Sequence, residues 1–551
     1  MKDASVPIAL ALILFGVPST AAQDTPGCDF GTAVAVVQGG GVRGGVFSSG
    51  FHFYPRVTPR EDVNWRHRLL ENDGASLVGG AGIWLSGTVG GTLRASVSFW
   101  GQQDFFPGPL GPDGEPATDC TPFDRIWSVT KADLEAYGET GAVSTDLASW
   151  PTGLGAPTLD ADGNLVPPGT GSIADRTARV IDLEAGELPY VRGDQTHWWI
   201  VNDVAKNAFP DRPPSLRVEV GISAFAFPET GALGRTLFFE YTIRKPSGDP
   251  IEDAYVGMYT DIDLGRFDDD FMGSDSLLGL AYNYNSGPED RDWGTRPPAV
   301  GLDFLRGPLV DPEASTGQRI AMTAAILPID TRTQPEIVRN YFTGRSRRGD
   351  RLVSYGYGRP EAGRNDPVTN WQFWGEPGEF WSELNTDGAG STSPPSDRRI
   401  VSGAGPVRIG SEHGQNLLAA FITSMGDDHL DSVRQLKEDD RFLQQLADRG
   451  VLDIPFIPAF QEQPDQRVLS AGVYPVPAGR SAKLKYHLPE ERVVSVSIYD
   501  LLGRRQIEIA RGLEVGTQQL PLDLSGLAPG LYLVQLQLGS RTFALKLPVV
   551  R

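Results

Sequence analysis

The sequence predicts a mainly β protein: a multi-strand, β-sandwich-like body with one C-terminal amphipathic helix, followed by a small Ig-like β-sandwich. Three observations lead there. The 551 residues include 65 Gly and 43 Pro, which favours many short strands joined by turns. Apolar residues recur with period two over many short segments. Helical spacing is scarce and is strongest in one stretch near residue 430.

The elements follow in chain order. Met1-Lys2, an apolar run from Val6 to Val17 and Pro18-Ser-Thr-Ala-Ala22 describe a secretory signal peptide at 1–22. The run is too short for a permanent membrane anchor, and no other candidate span follows it, so no transmembrane segment is expected after cleavage. A mainly β extracellular body is expected over 23–450, with room for two subdomains. Ala33-Val-Ala-Val-Val37 and Gly82-Ile-Trp-Leu-Ser86 read as early strands, Lys131 to Tyr137 as a short helix, and 150–195 mainly as loops. Strand signals peak between 197 and 285, where Leu237, Phe239, Tyr241 and Ile243 share one face. Further strands are expected near 319–327, 351–356 and 416–424.

From Leu430, the apolar positions Val433, Leu436, Leu443 and Leu446 form one helical stripe, and Gly450 offers a stop. Residues 451–469, with Pro455, Pro458 and Pro464, read as a linker. Alternation then returns over 470–551, in sets such as Leu484, Tyr486 and Leu488 or Tyr532, Val534, Leu536 and Leu538.

Composition excludes several classes of function. A net charge of −21 argues against nucleic-acid binding, which needs clustered Lys and Arg. Gly39-Gly-Gly41-Val-Arg-Gly44 satisfies G-x-G-x-x-G, but a second strand-like run follows where a dinucleotide site requires a helix. Its reading is a glycine-rich hairpin or bend. The six histidines are scattered with no H-E-x-x-H, and no G-x-S-x-G elbow is present. No nucleotide or redox cofactor is expected. Cys28 and Cys120 are the two cysteines and the candidates for a disulfide in an oxidising compartment.

Three segments carry candidate chemistry. Asp261, Asp263, Asp268, Asp269, Asp270 and Asp275 place six carboxylates within fifteen residues, beside Gly265 and Gly273. Hard oxygen ligands in turns suit Ca²⁺. Asp160, Asp162 and Asn164 open a second acidic loop with the same candidate ligand, and an ordinary Asp-Gly turn is the competing reading. The segment Trp371 to Glu383 sets Glu376, Glu379 and Glu383 among aromatic residues. A glycoside hydrolase would use such surfaces plus an acid and a base, although it usually takes the pair from different strands.

The last eighty or so residues also carry a recognisable order of phrases: Tyr474-Pro-Val-Pro477, Tyr486-His-Leu-Pro-Glu490, Ser497-Ile-Tyr-Asp-Leu-Leu-Gly-Arg-Arg505 and Leu527-Ala-Pro-Gly-Leu-Tyr-Leu-Val534. This resembles the C-terminal sorting domain of proteins exported by the type IX secretion system of Bacteroidetes-like bacteria. The body, in phrases such as Gly82-Ile-Trp-Leu85, Phe123-Asp-Arg-Ile-Trp127 and Asp269-Asp-Phe-Met-Gly-Ser-Asp275, resembles an uncharacterised family bearing the same tail. The resemblance implies a secreted or outer-surface protein whose 470–551 module is read by the outer-membrane translocon. It implies Gly503, Gly530 and Tyr532 as sorting-signal residues. The expected function is non-enzymatic, in adhesion, structure or contact with surface glycans or other surface proteins, with calcium-stabilised loops. The alternative is a secreted polysaccharide hydrolase using 371–383.

Overall fold

A computed structural model describes residues 30–54, 66–72, 74–208, 212–312, 317–328, 333–410, 414–458, 471–500, 504–538 and 541–550. The signal-peptide reading, Cys28, Gly503 and most of the 451–469 linker lie outside the described residues.

The body is built on two antiparallel sheets. The larger runs in the order Asp270–Asp275, Leu280–Asn285, Ala299–Arg306, Gln415–Ser424, Thr236–Arg244, Glu219–Ala226, Gln195–Asn202 and Phe106–Pro107, with Trp127–Thr130 also on Gln195–Asn202. The second runs Ala324–Ile326, Arg398–Ile409, Ile251–Ile262, Gly80–Val89, Thr92–Phe99 and Gln102–Gln103, with Phe51–His52 beside Gly80–Val89. Alternation explains how they pack. Leu237, Phe239, Tyr241 and Ile243 point into one core with Ile83, Leu85, Val256, Met258 and Ile400 from the facing sheet. Full burial of such a side chain contributes roughly 1.5–3 kcal/mol.

The central strands are apolar on their other face too. There Phe225, Phe238, Leu418 and Ile422 meet Val433, Leu436, Leu443 and Leu446 of the helix His429–Asp448. Asp428 caps that helix by accepting the N–H groups of Leu430 and Asp431 at 2.9 Å each. Gly450, at φ 67°, follows its end. Lys131–Thr140 covers the short helix expected from Lys131 to Tyr137, and Thr145–Ala148, Ile173–Ala178 and Pro335–Phe342 are three further short α-helices.

The chain over 150–195 is mainly loop, as expected, with short elements set into it, and one strand expectation needs correction. Within 150–195 the chain forms Ile173–Ala178 and the hairpin strands Thr158–Leu159 and Leu188–Pro189. These short elements enclose a core of their own, with Leu134, Leu147, Trp150, Leu154 and Ile181 against Trp198 and Ile200. A buried Arg176–Glu219 ion pair at 2.8 Å ties the lobe to the large sheet. Conversely, 351–356 is no strand: it makes only isolated bridges, because Gly356 and Gly358 take left-handed φ values of 52° and 84° and turn the chain.

The glycine-rich segment 39–41 turns the hairpin between Val34–Gln38 and Val42–Phe47, as the strand-like flanks implied. Cys120 is buried, and its candidate partner Cys28 lies outside the described residues. The terminal region forms five strands, Ala471–Tyr474, Ser481–Asp500, Arg505–Asp523, Gly530–Leu538 and Arg541–Val549. Their core includes Leu484, Tyr486, Val494, Val496, Val534, Leu536 and Leu547.

Candidate metal centre

The acidic residues gather where Ile251–Ile262 ends. Alternation sends Ile262 into the core and leaves Asp261 and Asp263 on the opposite side. The neighbouring strand places Arg399 opposite Asp261, and Asp397 just before that strand. Asp261, Asp263 and Asp397 each present a carboxylate oxygen, all within 4.8 Å of one another. The segment 77–79 closes over them: Asp263 donates its N–H to the Leu77 carbonyl at 3.1 Å, and Gly79 donates to the Asp261 carbonyl at 2.8 Å. A Cβ at position 79 would sit 2.1 Å from Asp263 Oδ2, so any larger residue there must displace that carboxylate.

Charge in this corner is unbalanced. Arg399 reaches Asp261 Oδ1 with Nε at 3.1 Å and Asp397 Oδ2 with Nη2 at 2.5 Å. Burial pushes the Asp261 carboxyl up, the Asp263 charge adds to that, and Arg399 opposes it. Burial likewise raises Asp263, helped by Asp397. Arg66 also acts on Asp263, so three carboxylates against two guanidinium groups leave a net negative charge, and an all-oxygen set suits calcium. Asp397 escaped the sequence reading because it arrives from a distant strand.

The six clustered aspartates do not share one loop site. Asp268 faces solvent and pairs with Arg266. Asp275 accepts the N–H groups of Leu277 and Leu278 at 3.1 and 3.2 Å and meets Lys437 Nζ at 3.2 Å. Asp270 is fully buried, and Asp269 lies beside it with one buried oxygen. The turn at Gly265 and the strand Asp270–Asp275 distribute these side chains to different faces. In the second acidic loop, Asp160 Oδ1 accepts the N–H groups of Asp162 and Asn164 at 3.0 and 2.8 Å, and Oδ2 accepts Asn164 Nδ2 at 3.3 Å. Asp160 therefore serves as a turn cap, while Asp162 and Asn164 are exposed.

The three glutamates differ among themselves. Glu383 is fully buried, and its carboxylate accepts Arg398 Nη2 at 2.6 Å, Arg398 Nε at 3.0 Å and the Met272 N–H at 2.6 Å. Glu376 is exposed and pairs with Lys437 Nζ at 2.5 Å. Glu379 is exposed. Trp381 is core, whereas Trp374 and Phe380 face solvent.

In the terminal module, Tyr532 belongs to the core and donates its hydroxyl to the Ala528 carbonyl at 2.9 Å. Gly530 opens the strand Gly530–Leu538, where an added Cβ would make only ordinary contacts.

Residues 472–549 match the family model of the secretion system C-terminal sorting domain. No curated protein matches the chain. The match covers the five-stranded module and none of the body. Residues 472–549 are a type IX secretion C-terminal sorting domain, and the protein that carries them is a secreted, cell-surface protein.

Proposed function

We propose that the exported body is non-enzymatic and works at the outer cell surface in adhesion, structure or glycan contact, with calcium holding its acidic corner. The convergence of Asp261, Asp263 and Asp397 carries the calcium part of this reading. The sorting domain engages the type IX machinery, and the body is its cargo. Exposed Trp374 and Phe380 supply apolar faces of the kind that stack on sugar rings.

The state of the glutamates favours this reading over a polysaccharide hydrolase. An acid and base pair must face each other across a cleft. Glu383 is enclosed with Arg398, and Glu376 is held by Lys437. Incubation with surface polysaccharides should give binding without new reducing ends. Release of reducing ends that is lost in a Glu376→Gln or Glu379→Gln protein would reverse the assignment.

Calcium should raise the thermal midpoint of the purified protein relative to EGTA. Saturation at a hundredfold Kd corresponds to about 2.7 kcal/mol. Asp397→Asn should remove most of that rise. An identical midpoint in calcium and EGTA would eliminate the calcium reading.

A further inference from the structure

We propose that the acidic corner holds a second, inner cation position between Asp270 and Asn285, separate from the Asp261–Asp263–Asp397 position. It rests on the calcium reading above and extends it. Asp270 is fully buried; its Oδ2 accepts the Leu264 N–H at 3.1 Å, and its Oδ1 has no hydrogen-bond partner. Asn285 lies directly opposite in the antiparallel register, so the two side chains share one sheet face with Cβ atoms about 5 Å apart.

The Asn285 amide has a determined orientation. Its Nδ2 donates to the carbonyls of Gly287 and Glu289 at 2.8 and 3.0 Å, so the nitrogen cannot also turn toward Asp270. Its Oδ1 is buried without a donor. The two paired residues thus each carry a buried oxygen that no N–H or O–H reaches. Asn283, two residues back on the same face, repeats the pattern: Nδ2 donates to the carbonyls of Ile262 and Arg398 at 3.3 and 3.0 Å, and its Oδ1 is also unpartnered. Asp269 adds a further buried oxygen without a partner.

The surrounding charge has the same sign. Asp263, Asp269 and Asp290 all repel a charge on Asp270. Asp290 is held by the N–H groups of Asp292, Trp293 and Arg266 at 2.7, 2.8 and 3.2 Å. Arg266 itself is exposed and committed to Asp268. Unpaired buried acceptors are costly. A hard divalent cation, which takes oxygen ligands at 2.3–2.6 Å, satisfies Asp270 and Asn285 together. A proton on Asp270, donated to Asn285 Oδ1, is the competing solution.

Calorimetric titration of the full chain with Ca²⁺ separates these outcomes. Wild type should bind two ions, and Asp270→Asn and Asp397→Asn should each bind one. Asp270→Asn also supplies the missing N–H to Asn285, so the calcium-free variant should melt no lower than calcium-free wild type. Terbium luminescence gives a second readout that does not depend on that variant folding. The Trp293 indole lies beside Asp290 against Gly265, so Trp293→Phe should remove one of two sensitised components. A single ion that Asp397→Asn abolishes and Asp270→Asn leaves intact would overturn the inner position and preserve the outer one. Absence of binding in wild type would remove both.

Discussion

Replacing Glu383 with glutamine should destabilise the body by about 3–5 kcal/mol, the usual consequence of breaking a buried ion pair from one side. Glu383 is fully buried and Arg398 nearly so. The pair joins three parts of the fold: the loop lobe that carries Glu383, the first residue of Arg398–Ile409 in one sheet, and Met272 at the edge of the other. Glutamine has the same shape, but it sets an NH₂ group against the guanidinium and leaves Arg398 without its counter-charge. Chemical denaturation monitored by tryptophan fluorescence measures the loss. A change below about 1 kcal/mol would mean that solvent reaches and screens the pair. The same variant separates structure from catalysis, because a catalytic carboxylate can be replaced with little loss of stability.

His67 should make the protein sensitive to mild acid. Its ring is fully buried, stacked on Phe53 at 5.3 Å, with both nitrogens unpartnered. Burial depresses its pKa from 6.5 to about 3. The unfolded chain therefore binds a proton below pH 6.5 that the folded chain refuses. Stability is complete above that value and falls as pH drops toward 3, by about 2 kcal/mol between pH 7 and pH 5. His52, also depressed to about 3 by burial, acts in the same direction while its Nε2 contacts the Tyr241 hydroxyl at 2.9 Å. Buried carboxylates with raised pKa values, such as Asp270, act oppositely. The difference between wild type and His67→Phe isolates the effect. The variant should equal or exceed wild type at pH 7, since two unsatisfied nitrogens disappear, and gain about 2 kcal/mol on it by pH 5. Parallel pH–stability curves would show that His67 takes up its proton in the folded state.

Local pattern made some of this fold legible. Period-two spacing in Leu237, Phe239, Tyr241 and Ile243 marked a core strand, and the stripe Val433, Leu436, Leu443 and Leu446 marked the helix. The order of phrases in the tail marked the sorting domain. Features made by distant residues stayed hidden. The small core around Trp150 is assembled from apolar side chains scattered among Gly and Pro, so no periodicity announces it. Six neighbouring aspartates suggested one site, yet strand alternation and the Gly265 turn send them to different faces, and the third carboxylate of the corner is Asp397. In sequence Glu383 groups with Glu376 and Glu379 as a candidate acid or base, because its partner Arg398 lies outside that segment, on a strand. In each case the missing information was a long-range pairing, which composition and spacing do not encode.

Cell fractionation of strains expressing the full chain or a chain ending at Gln466 tests tail-directed export most directly. The full chain should be found on the cell surface or in the medium, and the shortened chain should remain in the periplasm as a folded body. Appearance of the shortened chain outside the cell, in amounts comparable to the full chain, would contradict the assignment of residues 472–549 as the determinant of export.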